Sequence, residues 1–318
     1  VSADPKDRAE LSTWRTIGST LANMVIGVAT PMVAYVVVDG KTVMSGSRMT
    51  IIAGVFSICA ILCYIVCFKL TRERVEVPAS SQKVSASAIF KSIFTNRALL
   101  GIIVAAIFVL LSQLTVMSLA GYVYPNVYGS AAAQSTASLL GTVVMLIVCA
   151  PFASKLAAKF GKKELAVASS ICSALVWLVC LIWRPASVWG FVACYILANV
   201  GMGFFNTIIW AMITDVIDDA EVRSGIREDG TIYSVYSFAR KLGQAFSSGL
   251  VGALLGIIGY TEATAFDPAV TRGIFNMACI APIIGFVCIV LALVFLYPLN
   301  KKKVEENVAA LAARRNNK

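Results

Sequence analysis

Histidine is absent from all 318 residues. That removes the commonest general base and the commonest metal ligand at neutral pH. Charge is also scarce, at 14% of the chain, where a soluble domain carries about 25%. No H-E-x-x-H or G-x-S-x-G occurs, so zinc-protease and hydrolase signatures are missing. Gly201-Met202-Gly203 is followed by Asn206 where G-x-G-x-x-G needs its last glycine, and Gly161-Lys162-Lys163 lacks the upstream Gly and the Ser/Thr of a phosphate loop. The nine cysteines contain no C-x-x-C. Cys59, Cys63 and Cys67 recur at i, i+4 and i+8 inside an apolar run; packing explains such a stripe better than a soft metal or a disulfide framework. No secretory leader is legible in VSADPKDRAE, and the chain starts at Val1 without Met, so it reads as the middle of a longer protein.

Apolar residues are what the chain has in excess. They make up 58%, and the mean hydropathy is +0.81; soluble domains average roughly 45–50% apolar. A soluble enzyme is excluded. The expected fold class is all-α integral membrane, because spanning helices satisfy their own backbone hydrogen bonds. A span needs about 20 apolar residues. Eight stretches qualify, near 13–38, 48–69, 98–124, 131–152, 164–183, 188–214, 230–258 and 273–298.

The excess of 27 Lys and Arg over 17 Asp and Glu would suggest nucleic acid in a soluble protein. Here it marks loops. On the eight-span reading, 21 of the basic residues fall on one side and 4 on the other, with Arg240 and Lys241 inside the seventh span. The positive-inside rule then places both ends in the cytoplasm. The connection 70–97 is long, and Ile89, Phe90, Ile93 and Phe94 suggest an interfacial helix in it. Six spans follow that linker and two precede it. This is the layout of a twelve-span transporter of the major facilitator type lacking its first four helices. The domain reading is 1–69 as the end of a first bundle, 70–97 as linker, 98–299 as a second six-helix bundle and 300–318 as a cytoplasmic tail. The acidic-then-arginine segments at 4–15 and 215–229 lie six spans apart, as parallel repeats would.

Lys241 carries the strongest functional signal. Eleven residues past Gly230 it lies about 16 Å into a core about 30 Å thick. Ser234, Ser237, Lys241, Gln244 and Ser248 share one helical face. A lysine at that depth needs a partner or water, so the stripe is expected to line a cavity. Its counter-charge is expected from an Asp on the absent helices. Asn199, Asn206 and Trp210 share a face of the sixth span, where sugar binding and interhelical hydrogen bonding are both open readings. Gln113 lies in a similar polar stretch of the third span. Asp215, Asp218, Asp219, Glu221, Arg223 and Arg227 form a charge run at the mouth, read as a charge-paired gate or a solvated face. Gly252 and Gly256 suggest close helix packing, with dimerisation a lesser reading.

The block NTIIWAMITDVIDDAEVRSGIREDGTIYS (206–234), with FARKLGQAF (238–246), resembles the glycoside–pentoside–hexuronide:cation symporters. DPKDRAELSTWR (4–15) and P-x-V-x-Y (31–35) resemble the segment around that family's fifth helix. The resemblance implies that Arg15, Asn206, Trp210, Lys241, Gln244 and Gln113 border the sugar site. It implies that Lys241 takes part in cation coupling, and that Asp215, Asp218, Glu221 and Arg227, with Arg8 opposite, hold the two halves together at the cytoplasmic gate. The family's D-Y-G-E is Asp218-Asp219-Ala220-Glu221 here. The implied activity is symport of a glycoside, oligosaccharide or related sugar with Na⁺ or H⁺, by alternating access, in a bacterial inner membrane. No cofactor beyond the coupling ion, no nucleic acid and no enzyme activity are expected, and a monomer is. The alternatives are a non-transporting sensor or scaffold of the same fold, and a facilitator for a lipid-like or drug-like substrate.

Overall fold

The structure, a computed structural model, describes residues 5–38, 41–70, 96–225 and 229–316. Among these, ten α-helices and one short hairpin account for almost all of the chain. The helices are α1 (Pro5–Ala34), α2 (Gly46–Leu70), α3 (Arg97–Tyr122), α4 (Ala131–Val144), α5 (Ala150–Phe160), α6 (Lys162–Trp183), α7 (Val188–Ser224), α8 (Asp229–Ile257), α9 (Pro268–Leu291) and α10 (Lys301–Asn316). π-helical turns extend α3 through Val123–Val127, α4 through Met145–Cys149 and α9 through Ala292–Leu296. The expected all-α membrane bundle is what the chain forms.

Helices occupy all eight expected span positions. Six of them are long and apolar enough to cross a membrane: α2, α3, α4, α6, α7 and α9 with their π-helical extensions. The other two are the polar ones. In α1 only Leu21–Ala34 is apolar, and α8 carries the Ser/Lys/Gln stripe. Among the described residues α2 buries none of its positions and leaves Ile51, Tyr64 and Phe68 largely exposed. A helix apolar all round is suited to cover by hydrocarbon or by further helices. The Cys59, Cys63 and Cys67 stripe is exposed as well, so it packs into no core within the described residues.

Several boundaries differ from the sequence reading. Span one ends as helix at Ala34, not at 38. Tyr35–Val38 pairs antiparallel with Lys41–Met44, Val36 opposite Val43; the β-branched run Val36-Val37-Val38 favours strand over helix. The acidic segment from 215, expected as a loop, continues α7 to Ser224. At 37 residues that helix is about 56 Å long, far beyond a ~30 Å core, so its acidic end projects from the membrane. The tail expected from 300 forms α10 over Lys301–Asn316. The interfacial helix expected near 89–94 lies outside the described residues.

The chain forms two units. In the first (1–83 with 129–142), α1 packs on α2 and on the start of α4. Ser135 donates to the Val28 carbonyl (3.2 Å), Arg48 to the Val33 carbonyl (3.4 Å), and Thr42 to the Gly129 carbonyl (3.0 Å). The second unit (84–128 with 143–318) is a helix bundle in which α3 packs on α8 and α9, and α6 on α7 and α9. Gly243 of α8 faces the backbone of α3, where a Cβ would stand 2.8 Å from the Ile107 carbonyl oxygen. The Gly252 and Gly256 pair has nothing within 4 Å. The close approach expected there is found one helical stretch earlier. Below Gly243 the contact is polar: Thr115 and Ser247 hydroxyls meet at 3.3 Å, both buried.

Candidate functional site

The α3–α8 contact sets the orientation of the site. Ile232, Val235, Tyr236, Ala239, Gly243, Ser247 and Val251 of α8 are buried against the bundle. At 100° per residue the opposite face must carry Ser234, Ser237, Lys241 and Ser248, and all four are exposed on the second unit. Lys241 Nζ donates to Gln244 Oε1 (3.2 Å), one turn further on. The Ser234 hydroxyl bonds back to the Gly230 carbonyl (2.7 Å) and Ser248 to the Gln244 carbonyl (3.5 Å), so these two serines spend their protons inside the helix.

Three helices converge beside this stripe. Asn206 of α7 donates to the Gln113 side chain of α3 (3.3 Å), joining two residues that the sequence placed in separate spans. One turn along α7, Trp210 meets Tyr236 of α8 edge-on at 5.4 Å between ring centroids. The Arg240 guanidinium lies 5.5 Å from the Trp210 ring and 5.8 Å from the Tyr236 ring, and donates to the Tyr236 hydroxyl (3.3 Å). Trp210 is still 46% exposed, so part of its indole remains open for stacking. The result is a seam of two planar amides, an open indole and one cation, Arg240, while Lys241 and Gln244 lie on the exposed face of α8. No carboxylate belongs to it among the described residues. Asn199 is not part of the seam: its amide donates to Tyr195 of its own helix (2.7 Å).

The charge run at the end of α7 is resolved into pairs. Lys162, at the start of α6, bonds Asp215 Oδ1 at 2.6 Å, while Asp215 Oδ2 is buried without a hydrogen bond. Arg223 Nη2 stands 2.8 Å from Asp219 Oδ2, close as charges although not aligned as a hydrogen bond. Asn307 of α10 donates to Asp219 Oδ1 (3.0 Å), and Arg314 to the Glu221 and Val222 carbonyls (3.3 and 3.0 Å). These last bonds satisfy α7's free C-terminal carbonyls with a cation, as the helix dipole favours. Asp219, the acid that departs from the family pattern, is 1% exposed. Asp218 and Glu221 are half-buried. Tyr297 ties the ends of α6 and α7 together: its carbonyl accepts from Lys163 (2.6 Å) and its hydroxyl donates to Met212 (3.3 Å). Burial pushes that phenol well above its ordinary pKa, so it stays a neutral donor.

Of the other expected residues, Arg8 and Arg15 lie in α1 and their side chains are outside the description, while Arg227 lies outside the described residues altogether. Sequence reasoning missed Tyr236, Lys162, Asn307 and Arg314. Tyr236 was legible as the residue one turn before Arg240; the other three depend on contacts 53 to 93 residues apart.

A model of the family described as MFS/sugar transport protein matches residues 1–301. The chain belongs to that family. It is 29% identical over 308 residues to an uncharacterized symporter, YjmB, of Bacillus subtilis, covering 95% of this chain and 65% of the relative. It is 25% identical to the glucuronide carrier protein homolog of Escherichia coli (99% and 68%) and 28% identical to a putative sulfoquinovose importer of Salmonella typhimurium (99% and 66%). The chain thus spans about two thirds of the length of these relatives. They agree with the resemblance of 206–246 to the glycoside–pentoside–hexuronide symporters. As a member of that family the chain is a multi-pass membrane protein of helix-bundle fold.

Proposed function

We propose that the protein moves a sugar or glycoside across a bacterial inner membrane, coupled to Na⁺ or H⁺, by rocking of two six-helix bundles. The seam is the observation that carries this reading. Gln113 and Asn206 offer amide donors and acceptors to hydroxyls, Trp210 offers an apolar ring face with the Arg240 guanidinium beside it, and we assign Lys241 with Gln244, on the exposed face of α8, to the same substrate. Arg15 completes the sugar contacts from the first bundle, which 1–69 closes; 70–97 links it to the second bundle, 98–299. Arg240 at the seam, with no carboxylate beside it among the described residues, suits a sugar that bears an anionic group, in keeping with the printed names of the glucuronide and sulfoquinovose relatives. Asp215, Asp218, Glu221, Arg8 and Arg227 act at the cytoplasmic gate, with Lys162 holding Asp215 in place.

Uptake of radiolabelled hexuronides, sulfo-sugars and neutral disaccharides into vesicles holding the full-length protein tests this reading. Uptake of at least one sugar should rise with an inward Na⁺ or H⁺ gradient. Trp210→Ala should raise KM about three- to tenfold, since one aromatic contact is worth roughly 0.5–1.5 kcal/mol. No gradient-dependent uptake of any of these sugars would sink the symport reading.

A further inference from the structure

Where α9 leaves the membrane, the chain Tyr297–Asn300 turns into α10 and a cleft of about 280 Å³ opens against the end of α7. Arg223 of α7 lines it from one side, and Leu299, Asn300, Lys302, Lys303 and Glu306 from the other. Three cations thus face one carboxylate. Glu306 is engaged with Lys303 only at 3.5 Å, both half-exposed, a pairing that contributes little. Arg223 gives one nitrogen to Asp219, and a guanidinium has further N–H donors to offer. Lys302 has no bonded partner among the described residues.

The backbone adds to this charge. The Asn300 side chain caps the Lys303 N–H (2.9 Å), which leaves the first N–H groups of α10, at Lys301 and Lys302, ahead of the intrahelical ladder. The cleft begins two residues after Leu296, the last residue of a helix long and apolar enough to cross a membrane, and a span that ends there brings the Lys302–Lys303 side of the cleft close to lipid headgroups. Basic pockets at the ends of membrane helices are suited to anionic headgroups.

We propose that this cleft seats the phosphate of an anionic phospholipid between Arg223 and the Lys302–Lys303 turn. The bound headgroup clamps α10 onto the end of α7. That clamp adds to the Asn307–Asp219 bond and steadies the helix that carries Asn206 and Trp210.

The test uses the full-length protein purified in detergent, with thermal unfolding and lipid retention in native mass spectrometry as readouts. Phosphatidylglycerol should raise the melting temperature and stay bound, whereas phosphatidylcholine should do neither. The double variant Lys302→Gln/Lys303→Gln, changed at exposed positions, should lose both effects. Lys155→Gln/Lys159→Gln, exposed cations of the same bundle end outside the cleft, should keep them. Equal loss in both double variants would reduce the effect to diffuse surface charge and overturn the site. An equal rise with inorganic phosphate alone would overturn the lipid assignment, and an unchanged Lys302→Gln/Lys303→Gln variant would overturn the proposal outright.

Discussion

At the scale of single residues, position along a helix told more than residue type. The serines of the α8 stripe share a face with Lys241, yet Ser234 and Ser248 bond their own helix, and Asn199 does the same. A hydroxyl or amide inside a span always has a carbonyl four residues back, so polarity in the sequence overstates polarity offered to a ligand. Gln113, Asn206 and Lys241 are different, because their bonds run between helices or along the open face. Asp218 bears on the gate. Asp215 is held by Lys162 and Asp219 by Arg223 and Asn307; the gate role we propose for the half-buried Asp218 rests on the family resemblance of the 206–234 block. Exposed pairs contribute only about 0–1 kcal/mol, yet states separated by a few kcal/mol respond to that. Asp218→Asn in the full-length protein should slow transport and raise the labelling of cysteines introduced at the cytoplasmic mouth. Unchanged labelling would make Asp218 a solvated side chain.

At the scale of elements, the long apolar helices were legible and the polar ones were placed but blurred. Spans two, three and five could be read from their hydropathy because lipid demands it along their whole length. The ends of α7 and α1 could not, since a helix that leaves the membrane keeps its hydrogen bonds while losing its apolar pattern. The strand pair 35–38 and 41–44 and the helix α10 were missed because neither carries a span's apolar run, and α10 draws its place from the bonds of its Asn307 and Arg314 to α7. Glycine spacing was the least reliable guide. G-x-x-x-G at 252 and 256 meets nothing, while the isolated Gly243 sets the α3–α8 distance. Gly243→Ala should therefore force the two helices apart and destabilise the protein by about 1–3 kcal/mol, the usual cost of overpacking. Gly249→Ala, with open space around it, should be neutral or stabilising by up to about 1 kcal/mol. Thermal unfolding of the two variants checks this; equal melting temperatures would remove Gly243 from the contact.

At the scale of the whole molecule, composition alone set the class, and the Lys and Arg count gives the orientation we propose, with both ends cytoplasmic. Cysteines introduced at Thr42 and Ala263 of a cysteine-free background should react with an impermeant maleimide from outside intact cells, and one at Lys83 should not. Reaction at Lys83 would invert the topology. The site was legible as candidate residues but not as an assembly, since nothing in the local sequence says that Gln113 meets Asn206 across 93 positions or that Arg240 covers the Trp210 ring. The coupling we propose turns on Lys241. An ammonium deep in a bilayer costs at least about 2.5 kcal/mol by insertion scales. Gln244 can bond it but cannot neutralise it. The most direct measurement is sugar accumulation against a gradient in vesicles holding the full-length protein, wild type beside Lys241→Val. The account predicts that wild type concentrates sugar when the cation gradient is imposed, while Lys241→Val inserts normally but no longer concentrates it. Normal accumulation by Lys241→Val would make the lysine structural and contradict the coupling role.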